Sequence, residues 1–234
     1  MTDSRYDGTI DWDRYYEDAD DEKRAEASPS AHHAGDVLAE FVAATDAARV
    51  ADVGCGTGAA TFTVAEAHPD TTVVGYDAAE SVLEENRERA RERDVENVRF
   101  EHAVLPAFAP DEPFDVVFSY FTLQYVRDVA RALTNLYAAV APGGHLVCNY
   151  LNEAGRAYCL EAADDPHANT DRAFVFDPDQ YTERFAALLD GDSVLSAERI
   201  EHVLGVEPRS AFEVVDRPDT QWAWHHAPLV CVGK

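Results

Sequence analysis

Lysine is almost missing from this chain. Lys23 and Lys234 stand alone, and lysine plus arginine total 19 against 45 aspartates and glutamates. A formal charge of −26, spread along the whole length, argues against a nucleic-acid partner, because the phosphate backbone needs a basic stripe or patch. Uniform acidity instead resembles proteins of salt-loving organisms, where a short Debye length makes self-repulsion tolerable. An acidic face built for a basic partner is the competing reading, and no single patch stands out for it. Cysteine is sparse too. Cys55, Cys148, Cys159 and Cys231 form no CxxC pair and no Cys/His zinc spacing, so no metal is expected. Cys148 and Cys231 fall in apolar runs and are expected to pack as small hydrophobes. No apolar run is long enough to cross a bilayer, and the first residues lack a basic-then-apolar leader, so a cytoplasmic protein without a membrane partner is expected.

With 234 residues and 46% hydrophobic content, the chain suits one good core and is short for two. Trp12, Tyr15 and Tyr16 recur at spacings that share a helix face. They suit either a cap over the body of the domain or an acidic arm ending near Ser28-Pro29-Ser30. Val37, Leu38, Phe41 and Val42 predict an amphipathic helix. From Val50 onward strand and helix alternate, with strands over 49–53, 72–77, 97–102, 115–120 and 145–150. Helices are predicted over 59–67, 79–93 and 128–140. Strands apolar at consecutive positions, such as Val116-Val117-Phe118, are expected when helices cover both faces of a parallel sheet. Beyond Tyr150 the rhythm changes. A helix over 154–163, a polar stretch over 164–171, and a helix from Asp177-Pro178 through Leu189 precede two closing strands, 212–216 and 229–233. Asp177 is read as the N-cap of that later helix. The expected organisation is one domain: a cap or arm over 1–31, a ligand-binding core over 32–150, a substrate-side insertion over 151–177, and the C-terminal part of the sheet over 178–234.

The densest chemistry lies at Asp52-Val53-Gly54-Cys55-Gly56-Thr57-Gly58. An acid followed by alternating glycines, between a strand and a helix, marks backbone that must approach a ligand closely and adopt positive φ. Cys55 fits there because it is small. Asp77 lies 19 positions beyond Gly58, where a carboxylate can accept both hydroxyls of a ribose. Asp77 also suits a simpler role, capping the helix that starts at Ala78-Ala79-Glu80. Asp52 is unattractive as a bare buried charge, because unpaired burial is costly.

Together these motifs resemble a class I S-adenosylmethionine-dependent methyltransferase of the small-molecule type. Asp52–Gly58 is similar to its glycine-rich first motif and Asp77 to the acid ending its second strand. Phe114-Asp115-Val116-Val117-Phe118-Ser119-Tyr120, continuing into Leu123-Gln124-Tyr125, resembles the fourth-strand motif. Ala141-Pro142-Gly143-Gly144 resembles the turn before strand five. The resemblance covers nearly the whole chain. It implies an α/β fold: a doubly wound, Rossmann-like, mostly parallel seven-stranded sheet with helices on both faces and an antiparallel C-terminal strand. It also implies S-adenosyl-L-methionine as cofactor, and methyl transfer to a small-molecule acceptor by direct in-line displacement, by a monomer or homodimer. Implied cofactor residues are Asp52, Gly54, Cys55, Gly56, Gly58, Asp77, Ala78, Val104, Leu105, Ser119 and Tyr120. One position departs from the family: Val104 stands where an acid often accepts the adenine amino group. Apolar packing and backbone groups at Val104 and Leu105, or Glu101 in its place, are expected to serve instead.

Catalytic residues are unknown from sequence. A general base is needed only if the acceptor must lose a proton; the candidates are His33, Tyr120, Tyr125, Tyr150, His225 and His226. Two rivals stay open. Gly54-x-Gly56-x-x-Ala59 also satisfies the relaxed dinucleotide fingerprint of an NAD(P)-dependent oxidoreductase, although the chain has no Tyr-x-x-x-Lys pair. A non-catalytic S-adenosylmethionine-binding module is the second. DNA amino-methylation is disfavoured, because Ser119-Tyr120-Phe121-Thr122 stands where an Asn/Asp-Pro-Pro-aromatic motif would be. The RNA cytosine enzymes' paired cysteine motifs are missing as well.

Overall fold

β-Branched and aromatic residues set the strands, and polar or glycine residues such as Asp77, Ser119, Asn149 and Gly233 end them. The computed structural model describes residues 9–20, 24, 31–168, 177–216 and 225–234. Helix α1 (Trp12–Asp18) starts at Asp11, whose side chain accepts the Arg14 N–H at 3.2 Å. Helix α2 (Ala31–Thr45) follows, then β1 (Arg49–Val53), α3 (Ala59–Ala67), β2 (Thr72–Asp77), α4 (Glu80–Glu92), β3 (Val98–His102) and β4 (Phe114–Ser119). A 3₁₀ turn (Leu123–Tyr125) leads to α5 (Val129–Ala138) and β5 (Val140–Asn149). The remainder is α6 (Glu153–Asp164), the single turns α7 (Tyr181–Arg184) and α8 (Ala186–Leu189), α9 (Ala197–Leu204), β6 (Arg209–Ser210), α10 (Ala211–Val214) and β7 (Leu229–Gly233).

The seven strands form one sheet in the order β3-β2-β1-β4-β5-β7-β6. The five from β1 to β5 run parallel, while β7 pairs antiparallel with both β5 and β6. This is the expected doubly wound architecture. Both sheet faces are buried, with Val50, Val73, Val116 and Phe118 in one layer and Ala51, Val53, Val74 and Val117 in the other. Strand order reverses between β1 and β4, so their C-terminal ends open the crevice where such sheets hold ligands.

Three local expectations are corrected. Residues 212–216 are not a strand. Ser210 turns the chain and its hydroxyl accepts the Phe212 N–H at 3.3 Å, starting α10 and burying Ala211 and Phe212 against the α2 side of the core. The strand at this edge is the two-residue β6. Residues 178–189 do not form one helix. The helix is interrupted at Phe185 (φ −99°, ψ 14°), although Tyr181, Arg184, Phe185 and Leu188 keep one-face helical spacing and all turn inward. Asp177 therefore caps a turn, its Oδ1 accepting the Asp179 N–H at 3.1 Å, and Gln180 is the residue ahead of α7. Finally, the Ala141–Gly144 segment lies inside β5, which bulges where its register against β4 shifts between Phe114 and Val116. The expected aromatic face of α1 is seen, with Tyr15 and Tyr16 buried beside Ala79 and Val82. Cys148 and Cys231 are buried as expected. The segment at Ser28-Pro29-Ser30, and residues 169–171 of the polar stretch, lie outside the described residues.

Candidate functional site

All three glycines of the loop after β1 adopt positive φ: Gly54 at 82°, Gly56 at 49° and Gly58 at 74°. At Gly54 conformation and space agree. A Cβ there would fall 2.5 Å from Thr122 Cγ2 and 2.8 Å from Thr122 Cβ, and closer still to its Oγ1. The loop after β4 is thus seated directly on the loop after β1.

Fixed hydrogen bonds hold this loop from several sides. The N–H groups of Gly54 and Cys55 both donate to the Tyr76 carbonyl, at 2.7 and 2.9 Å. Gly56 is gripped twice: its N–H donates to Asp77 Oδ2 at 2.8 Å, and its carbonyl accepts from Asn86 Nδ2 at 2.7 Å. Arg89 donates to the Thr57 carbonyl at 2.7 Å. Asn86 is fully buried in the middle of the charged α4. It is the neutral polar member of Glu84-Glu85-Asn86-Arg87-Glu88-Arg89, and that contrast was the available sequence signal.

Asp77 joins the start of α4 to the glycine loop. Oδ1 accepts the Ala79 N–H at 3.0 Å, just ahead of α4, while Oδ2 ties β2 to Gly56. The Ala78 N–H also bonds this carboxylate, so three backbone donors share its roughly four acceptor positions. Burial pushes the Asp77 carboxyl up, and the N–H groups of Ala79 and Gly56 oppose that rise. Asp52, 3% exposed at the end of β1, accepts from Thr61 Oγ1 at 2.6 Å. Burial raises it to about 6, with the Thr61 hydroxyl pulling it down and the Asp77 charge pushing it up. Two carboxylates therefore feel each other beneath one glycine loop, an arrangement that favours a cationic ligand over an anionic one.

The other predicted residues take more varied places. Cys55 is buried in the loop. Ser119 is fully buried and donates to the Val53 carbonyl at 2.9 Å, bracing β1 against β4. Ala78 and Val104 are half-buried, and the Ala78 carbonyl meets His102 Nε2 at 3.0 Å. Leu105 turns its side chain into the core with Val53, Tyr76 and Phe108. Glu101 is engaged by the Tyr76 hydroxyl; burial first and Glu101 second push that phenol up to about 12. Tyr120 stacks on Phe118, with centroids 6.0 Å apart, and meets Phe121 edge-on.

The candidate bases scatter. His33 is exposed on α2. Tyr150 packs in the core layer with Leu195 and Ile200, where burial raises its phenol to about 12. His225 and His226 lie just before β7, with their carbonyls bonded to Asn152. Only Tyr120 and Tyr125 line the aromatic cluster of Phe121, Leu151, Tyr181 and Phe185 beside the crevice. Sequence reasoning missed the residues that shape this wall. Asn149 Oδ1 accepts the Phe121 N–H at 2.6 Å, and Gln124 Nε2 donates to the Phe121 carbonyl at 2.7 Å. Together they hold Phe121 at a φ of 50°. No local sequence signal announces the Asn149 half of this clamp, because Asn149 lies 28 residues from Phe121.

Residues 51–146 match the family model described as a methyltransferase domain. A trans-aconitate 2-methyltransferase of Variovorax paradoxus is 39% identical over 102 residues, which is 43% of this chain and 38% of that protein. A demethylmenaquinone methyltransferase of Listeria welshimeri is 37% identical over 101 residues, 42% of this chain and 43% of that protein. The matches thus span less than half the length of these curated relatives. Among solved structures, the plantazolicin methyltransferase in complex with SAH superposes with a TM-score of 0.62 at 13% identity, covering 94% of this chain and 92% of that one. A magnesium protoporphyrin IX methyltransferase from Synechocystis gives 0.60 at 14%, covering 95% and 92%. At such identity these two speak for the fold alone.

Proposed function

We propose that this chain is a class I S-adenosylmethionine-dependent methyltransferase acting on a small-molecule acceptor. The observation that carries the reading is the glycine loop held between the buried Asp52 and the half-buried Asp77 at the β1/β4 crevice, with residues 51–146 matching a methyltransferase domain. The residues fit the cofactor. Gly54, Cys55, Gly56 and Gly58 would let backbone run along its methionine and ribose parts. The acceptor capacity that Asp77 retains beyond its three backbone donors suits the ribose, and Asp52 suits the amino group. Adenine would lie against Ala78, Val104 and the Leu105 backbone, with Ser119 and Tyr120 near the methyl end.

S-adenosylmethionine brings a methyl group already activated on a sulfonium, so this chain's work is alignment and exclusion of water. Hydrogen bonds preset the loop geometry before any ligand arrives. The aromatic wall of Tyr120, Phe121, Tyr125 and Phe185 excludes water from the acceptor side. A proton acceptor is required only for an acceptor that ionises on methylation, and Tyr120 and Tyr125 are the wall residues that could reach one.

Asp52, beneath the loop and two residues ahead of Gly54, weighs against a dinucleotide, whose pyrophosphate it would repel. Calorimetry with S-adenosylhomocysteine and with NAD tests the cofactor. Saturable NAD binding without S-adenosylhomocysteine binding would overturn the proposal. Transfer of radiolabelled methyl to a metabolite pool, with trans-aconitate as a first single acceptor, separates an enzyme from a binding module. The extreme acidity supports a further reading, that the protein works at high ionic strength, in a cytoplasm rich in salt. Among the described residues, no helix is long and apolar enough to cross a membrane.

A further inference from the structure

Helix α1 spans the two halves of the proposed site. It has seven residues, too few for a helix to persist on its own in water, so its order depends on docking. Toward the glycine loop, Tyr16 is 4% exposed, and its phenol is held well up by burial and by the field of Asp77. Asp13 fixes the same side to α4, its Oδ1 accepting the Ser81 N–H at 2.9 Å. Arg24, just beyond α1, pairs with Glu85 and donates to the Tyr16 carbonyl at 2.7 Å.

Toward the acceptor wall, α1 meets Arg184. That guanidinium is 1% exposed. Its carbon lies 4.9 Å from the Trp12 ring centre, 5.1 Å from Tyr15, 5.8 Å from Tyr125 and 6.0 Å from Phe185. Two of these rings belong to α1 and two to the acceptor wall. Trp12 and Tyr125 also touch directly, with centroids 4.8 Å apart. The Thr9 hydroxyl donates to the Arg184 carbonyl at 3.0 Å, and Arg184 Nε donates to the Tyr125 hydroxyl at 3.4 Å. A planar cation between π faces attracts both sides at once, and attraction is strongest where water is excluded.

We infer that Arg184 is a positioning residue: by clamping α1 to the acceptor wall, it couples occupancy of the glycine loop to completion of that wall. The inference rests on the proposed cofactor reading. A ligand on the loop beneath Tyr16 favours docked α1. Docked α1 delivers Trp12 and Tyr15 to Arg184 and Tyr125, so the acceptor pocket closes after the cofactor is in place.

The test uses the full chain with Trp222→Phe and Trp224→Phe, which leaves Trp12 as its sole tryptophan. S-adenosylhomocysteine binding is followed by calorimetry and by Trp12 emission. Binding is expected to shift Trp12 emission by raising the fraction of molecules in which α1 holds its docked place against Arg184. Arg184→Met should abolish that shift and weaken S-adenosylhomocysteine roughly tenfold, and Arg184→Lys should restore part of both. Wild-type affinity and a wild-type shift in Arg184→Met would overturn the coupling, as would binding to the parent with no Trp12 response. No calorimetric binding to the parent would instead overturn the cofactor reading, before any variant is made. Should Arg184→Met fail to fold, Asp13→Ala releases the exposed side of the same helix. A reduced Trp12 shift there supports the coupling, and an unchanged one refutes it.

Discussion

Replacing Gly54 by alanine separates conformational strain from steric conflict within this fold. At a φ of 82° an L-residue is strained whatever surrounds it, by roughly 1–2 kcal/mol. The new methyl would also lie 2.5 Å from Thr122 Cγ2 and 2.8 Å from Thr122 Cβ. Thr122 is 8% exposed and packed, so forcing it aside adds about 1–3 kcal/mol. Gly54→Ala should therefore cost about 2–5 kcal/mol. Gly205 supplies the control. Its φ is 73°, and a Cβ added there would meet nothing within 4 Å, so Gly205→Ala should cost only the conformational part, about 1–2 kcal/mol. Urea denaturation of both variants measures the difference. Adding Thr122→Gly to Gly54→Ala should bring its penalty toward that of Gly205→Ala, beyond what Thr122→Gly does alone. Equal losses for Gly54→Ala and Gly205→Ala would refute the argument that Thr122 is seated on the loop.

Asp52 carries a pH signature. Because its folded pKa of about 6 lies above the unfolded carboxylate value, its favourable contribution is complete below the unfolded pKa. It is lost as pH rises through 6, amounting to about 3 kcal/mol. Asp52→Asn should accordingly flatten the stability profile between about pH 4 and 7 and raise apo stability at about pH 8, while weakening S-adenosylhomocysteine; an unchanged profile in urea titrations would contradict the burial argument. Asp77→Asn turns an amide N–H₂ toward a backbone N–H, and calorimetry should show S-adenosylhomocysteine weakened roughly 10- to 100-fold. The charge of −26 predicts a melting temperature that climbs with KCl toward molar concentration as repulsion is screened; a flat or falling curve would count against the high-salt reading.

Much of the sheet was legible because its signals are local. The bounds of β1, β2 and β7 follow from short apolar runs between turn residues, and the loop glycines stand out by type and spacing. Local signals also misled. The run at 212–216 has a strand's composition, yet Ser210 caps a helical turn there. Helix α9 went unread although Ser196 at its start, Ile200, Val203 and Leu204 along it and Gly205 after it are helix punctuation.

Sequence alone determined that a glycine loop follows the first strand, that acids flank it at Asp52 and Asp77, and that both sheet faces would be covered. Those properties reside in residue type and short-range period, which the chain carries without folding. Tertiary structure decided which groups meet. It seated Thr122 on Gly54, threaded Asn86 beneath Gly56, and set Asn149 against Phe121. It also set Arg184 between rings from the N-terminal helix and from the middle of the chain. Contacts of that kind join segments far apart in sequence, and their energy depends on distance and burial, which no local pattern encodes.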